Sequence, residues 1–309
     1  MAFRLYFLLH LLFILTFKLN AQDLEIFYLN SHENINKETI TFVSLSDIYP
    51  LSDHQDSLAI PDLSEKGEEQ AKQFESFRLS SKYRQQFLTR TKISETDKVF
   101  IYSYSKNKLI SFPVSSLNVV ACLNIYGADW PYSQFDFMIG FEIDKRFLTD
   151  FDQYFENTLV CIGKKNPFVV NQMKSIVWQK IENDKIPLKD PISYDTSYSG
   201  KSILGNTYKY EMDGLLYYLQ DFLRVSDNSI SLKRLFVIET KTQKVVCSKM
   251  YYSGESSSFA TLDNQWTGKL FKNKPSIILG FKWVSFGCPS IEFLSNTGRD
   301  IYTNCDNRH

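Results

Sequence analysis

Along most of this chain, short runs of apolar and β-branched residues are bounded by Asn, Ser, Gly and Lys, a pattern that predicts strands. Leu24–Leu29 and Thr39–Leu45 open the series, and Val99–Tyr104 and Leu109–Phe112, joined through Ser105-Lys106-Asn107-Lys108, predict a hairpin. Leu117–Tyr126, Phe135–Ile143 and Thr158–Ile162 continue it. Later runs lie at Leu235–Glu239, Lys244–Cys247, Ser258–Leu262, Ser276–Val284, Ser290–Leu294 and Ile301–Cys305. Other stretches carry apolar residues at helical spacing instead. Asp62 and Glu65 have the spacing of a capping box ahead of Ala71, Phe74 and Phe77. Phe147, Phe151, Tyr154 and Phe155 share one helical face, as do Met173, Ile176, Val177 and Ile181. The cleanest stripe is Met212, Leu215, Leu216, Leu219, Phe222 and Leu223. Together these patterns predict an α+β fold, mainly antiparallel sheet with a few amphipathic helices.

Pro187, Pro191, Gly200 and Gly205 among many Ser and Tyr residues mark 183–206 as a linker. It divides an N-terminal half, 22–182, from a C-terminal half, 207–309, that ends in a hairpin. The halves echo one another. Val99–Leu109 aligns without a gap on Leu235–Val245, and Met138-Ile139-Gly140-Phe141-Glu142 resembles Ile278-Leu279-Gly280-Phe281-Lys282. Each hairpin follows a helical stripe, so the two halves read as duplicated helix-plus-hairpin units, with chance likeness between apolar strands as the competing account. Gly140 and Gly280 each predict a bulge or a close backbone approach within a strand.

Residues 1–21 read as an export signal: Arg4 precedes the apolar run Leu5–Phe17, which is too short to span a bilayer, and Ala21 is a small residue at the cleavage position. The ending Leu19-Asn20-Ala21-Gln22 resembles bacterial export signals, and no cysteine at the junction could accept a lipid. The expected location is therefore the periplasm or the cell exterior, with no membrane span once the signal is removed. Lys plus Arg and Asp plus Glu number 35 each, so no net field draws in nucleic acid, and no basic cluster follows the signal. Five cysteines are too few for a disulfide scaffold, but in an oxidising compartment some of them pair.

Motifs that would fix a reaction are missing. His32, His54 and His309 lack zinc-site spacing, and no metal or cofactor is implied. Ser199-Gly200-Lys201-Ser202 lacks the earlier glycine of a phosphate loop, and Gly254-Glu255-Ser256-Ser257-Ser258 lacks the closing glycine of a nucleophile elbow. The favoured function is a non-enzymatic binding or structural role, with ligand and protein partner both open. Two places could carry a site. The loop aromatics Trp130 and Tyr132, like Arg308 near the C-terminus, are candidates for ligand contact. The segment Lys282–His309, which also holds Trp283 and Pro289, offers Cys305, Asp306 and His309 as nucleophile, orienting acid and base of a hydrolase or thiol enzyme. Against that enzyme reading stands a disulfide. If Leu294 faces Ile301 in the terminal hairpin, Cys288 and Cys305 are diagonal neighbours within bridging reach.

Overall fold

The computed structural model describes residues 24–34, 36–49, 67–124, 130–187, 202–254, 257–285, 287–295 and 299–306. Its architecture corrects the expected α+β class. The protein is mostly β, with 48% strand against 12% helix, and among the described residues the one helix longer than a single turn is Ser81–Thr91.

The largest sheet has nine strands and curls into a half-barrel. In spatial order they are Met173–Ser175, Trp266–Gly268, Ile277–Leu279, Ser290–Phe293, Ile301–Asn304, Ile26–Phe27, Thr158–Gly163, Lys98–Ser103 and Lys108–Pro113. Neighbours run antiparallel except at the centre, where Ile26 and Phe27 pair in parallel with Thr303 and Asn304. The first and last described strands are thus adjacent, and the sheet takes strands from both sides of residues 183–206.

A second, five-stranded sheet runs Leu29–Glu33, Thr39–Ser44, Phe137–Ile143, Val119–Leu123, Ser76–Arg78. The helix Ser81–Thr91 sets Tyr83, Phe87 and Leu88 into the core between this sheet and the large one, against Val43, Val99, Ala121, Phe141 and Val160. Phe87 meets Tyr49 and Phe141 edge-on at 5.2 and 5.7 Å. The third sheet, also five-stranded, orders Gln179–Ile181, Ser202–Met212, Leu215–Arg224, Ile230–Glu239 and Val245–Tyr252. A two-stranded ribbon, Ser257–Phe259 with Lys282–Val284, completes the described strands.

Three of the expected helices are strands or turns, and each has a local reason. The stripe Met212–Leu223 is a hairpin. Asp213 and Gly214, with φ of 51° and 75°, form its two-residue turn, and Leu215–Arg224 is a central strand covered on both sides. Tyr217 and Leu219 enter one apolar cluster while Leu216 and Tyr218 enter another on the opposite face. A strand buried on both faces loses the apolar–polar alternation and can imitate a helical stripe. Met173–Ser175 and Gln179–Ile181 are short strands that belong to different sheets. Around Phe147–Phe155 the chain makes a 3-10 turn at Lys145–Phe147 and then isolated turns, with Phe155 at φ 56°. Phe77 lies in the strand Ser76–Arg78 rather than in a helix; the Asp62–Glu65 cap falls outside the described residues.

These corrections remove the duplicated helix-plus-hairpin unit. Both echoed segments are hairpins, but the first follows the helix Ser81–Thr91 and sits at the edge of the large sheet. The second follows a strand and lies in the third sheet. The glycines of the echo are both close backbone approaches: a Cβ on Gly140 would stand 1.8 Å from the Val43 carbonyl oxygen, and one on Gly280 2.1 Å from that of Asn264. The strand Ser202–Met212 begins inside the stretch read as a linker, and 188–201, like the expected export signal, fall outside the described residues. Among the described residues, no helix is long and apolar enough to cross a membrane.

Candidate functional site

Gly280 is the pivot of the site. The strand Ile277–Leu279 ends there, and a φ of 79° together with an Asn264 carbonyl oxygen that would stand 2.1 Å from a Cβ leaves no room for a side chain. The chain therefore turns sharply, and Lys282–Val284 leaves the large sheet to pair with Ser257–Phe259. Between this ribbon and the face of the large sheet lies an open groove of about 720 Å³. Tyr28, Asn30, Tyr104, Glu156 and Asn157 come from the N-terminal half, and Pro289, Ser290, Glu292 and Cys305 from the terminal hairpin.

Several of the aromatic residues on its walls are held rigid. Phe281 is buried, stacks on Tyr251 with ring centres 5.4 Å apart and meets Trp178 edge-on at 6.4 Å. Tyr104 is fixed edge-on to Trp266 at 5.5 Å. Trp283, two residues past Phe281, is 62% exposed. On the neighbouring strand Tyr302 is 81% exposed and directly opposite Ser290, a groove residue, so the two side chains leave the sheet on the same face.

The charges within the groove nearly cancel. The Glu292 carboxylate accepts the Tyr251 hydroxyl at 2.6 Å and an ion pair from Lys249 at 3.5 Å. Burial, together with the adjacent Glu292, pushes the Tyr251 phenol far above its ordinary range, and burial raises Tyr28 and Tyr104 as well. These phenols stay neutral at physiological pH. The remaining charged groups on the walls are Glu156 and Lys282, both exposed and of opposite sign. The Asn30 Nδ2 is buried without a hydrogen-bond partner, although its residue lines the groove.

The sequence-predicted residues fall in three places. Cys305 is joined to Cys288, with Cα atoms 5.5 Å apart, and forms part of the groove floor. The hairpin register differs from the expected one: Ile291, not Leu294, faces Ile301, and Ser290 faces Tyr302. The cysteines still meet because the two segments stay together past the paired residues, where the Thr303 N–H donates to the Pro289 carbonyl at 3.3 Å. In the bonded state Cys305 carries no thiolate. Asp306 turns away from it. Asp306 is buried, has a left-handed φ of 52°, accepts the Ser44 hydroxyl at 2.7 Å and donates its backbone N–H to Asp47 at 2.8 Å. It pins the tail to the second sheet. Arg308 and His309 lie outside the described residues.

Trp130 and Tyr132 contact each other edge-on at 5.5 Å and pack, partly buried, on the core beneath the helix Ser81–Thr91. They are not groove residues. The thiols of Cys122, Cys161 and Cys247 are buried and unpaired; burial raises all three, Cys161 to about 12 and Cys247 to about 11. Their place is in the packed interior. Among the described residues, no three His, Cys, Asp or Glu side chains converge as a metal site would require.

Nothing local in the sequence distinguishes Asn30, Tyr104, Glu156 and Asn157 as groove residues. Gly280 was the available signal, since a glycine that cannot carry a Cβ marks the turn that opens the groove. Compared with known protein families, with curated proteins and with solved structures, the chain matches none.

Proposed function

We propose that this protein is a non-enzymatic binding protein of the bacterial periplasm or cell exterior, and that it holds its ligand in the groove between the Lys282–Val284 ribbon and the large sheet. The observation that carries this reading is the groove itself. Its volume of about 720 Å³ falls within the roughly 300–1,000 Å³ usual for ligand sites, and rigid rings line it beside an exposed tryptophan. The binding role is also supported by the state of the cysteines, because Cys305 is bonded and the other three thiols are buried.

Thermal-shift screening of the whole chain against small molecules, oligosaccharides and peptides tests this role. A ligand of the groove raises the melting temperature of the native protein and has a much smaller effect on Trp283→Ala. If every stabilising compound acted equally on both proteins, the groove would not be the binding site.

A further inference from the structure

We infer that the ligand of this groove is a neutral carbohydrate chain; the inference rests on the binding role proposed above and names its chemistry. The charge on the groove walls is nearly balanced. Glu292 is already engaged by Tyr251 and Lys249, which leaves Glu156 and Lys282 as one acid and one base on the walls. An anionic ligand would meet the Glu156 carboxylate beside the single Lys282 ammonium, without the clustered Arg and Lys that recognise phosphate or sulfate. A cation would find one free carboxylate and a nearby ammonium. The field therefore favours a ligand without charge.

The walls are also rich in neutral hydrogen-bonding groups. Asn30, Asn157, Ser258, Thr261, Asn264 and Ser290 bring amides and hydroxyls, which both donate and accept, to the walls. A chain of hydroxyls, each also donor and acceptor, matches such a surface at many registers. Asn30 borders the groove, and its Nδ2 is a buried donor left without a partner. A lipid would offer few acceptors to these groups and would leave much of its chain in water, because the groove is open.

A flat ring stands exposed beside these polar groups. Trp283, 62% exposed on the groove wall, presents a large rigid apolar surface with few torsions to freeze. The C–H face of a sugar ring is the apolar side of an otherwise hydroxylated, uncharged molecule. Stacking on Trp283 and hydrogen bonding to the amides then use both sides of such a ligand at once. Tyr302, exposed on the strand beside the groove, offers a second ring at the rim for a longer chain.

The experiment is affinity electrophoresis and calorimetry of the whole chain with neutral glucans, mannans and xylans and their hexasaccharides. An acidic polysaccharide and a set of extended hexapeptides form the comparison arms. The expected result is binding of at least one neutral glycan that Trp283→Ala weakens ~10-fold or more and Trp283→Tyr largely restores. Asn30→Leu should weaken the same glycan while leaving the melting temperature of the free protein unchanged or raised, since it removes a buried Nδ2 donor that has no partner. A role in folding alone would move the two readouts in the same direction.

Binding only of peptides or of the acidic polysaccharide, still dependent on Trp283, would overturn the carbohydrate inference and leave the groove as the site. Neutral-glycan binding indifferent to Trp283 and Asn30 would overturn the inference and the groove together. Absence of any neutral-glycan binding would overturn the ligand class, while the broader thermal-shift screen would judge the binding role separately.

Discussion

Replacing Cys288 and Cys305 together by alanine removes the one disulfide among the described residues, and the structure sets the size of the effect. The two cysteines are 17 residues apart, and opening a loop of that length restores denatured-chain entropy worth about 3 kcal/mol at 25 °C. The folded state loses little else. The backbone N–H of Cys305 gives up its contact with the Cys288 sulfur at 3.1 Å, but the contacts of Asp306 with Ser44 and Asp47 and the pairing of Ile26 and Phe27 with the last strand remain. The tail should therefore stay docked, with global stability lower by about 3 kcal/mol and a melting temperature lower by about 6 °C for a chain of this size. Calorimetry and urea titration, with and without a reducing agent, measure this. Reductant should lower native stability by the same amount and leave the double variant untouched, because the other three cysteines are buried unpaired thiols. A double variant within ~0.5 kcal/mol of native, or one that still responds to reductant, would refute the assignment of this stability to the Cys288–Cys305 loop.

Thiol titration gives a chemical check: the denatured, unreduced chain should show three reactive thiols and the reduced chain five, while the native protein reacts slowly because burial raises Cys122, Cys161 and Cys247. Gly280→Ala forces a Cβ to 2.1 Å from the Asn264 oxygen at a positive φ, and should cost ~3 kcal/mol or more in urea unfolding. Lys233 and Asp221 form a buried ion pair at 3.4 Å beneath Phe259, so Lys233→Met, which strands the Asp221 charge, should destabilise by ~3–5 kcal/mol. A double Asp221→Asn, Lys233→Met variant should recover most of that loss. The pH dependence has a defined sign. Burial outweighs the lysine and raises the Asp221 carboxyl, so between its unfolded pKa and its higher folded pKa the native state binds more protons than the unfolded chain. Its contribution is complete below ~pH 4 and is lost as the pH rises through the folded value, so native stability measured against the double variant should fall with increasing pH. A flat or rising difference would contradict this.

Much of the local structure was legible in the chain. Val99–Leu109 and Leu235–Val245 carry the turn residues of hairpins, and both are hairpins. Gly140 and Gly280, marked by an echoed Gly-Phe pair, are both close backbone approaches. Cys288 and Cys305 flank a short hairpin, and even a register shifted by three residues leaves the sulfurs adjacent. Such features depend on residues a few positions apart, and local sterics decide them.

The class of Leu215–Arg224 could not be read that way. Whether an apolar run is a helix or a doubly buried strand depends on what covers its second face, here the cluster of Tyr218, Phe236 and Ile238. The groove is likewise a product of tertiary structure. Asn30, Tyr104, Asn157, Asn264 and Trp283 come together because the first strand pairs in parallel with the last and Gly280 turns the ribbon back over the sheet. Alternation, turn chemistry and the spacing of cysteines are properties of the sequence itself. Convergence of residues more than two hundred positions apart follows from which distant apolar faces bury one another, and that burial is decided by the whole fold.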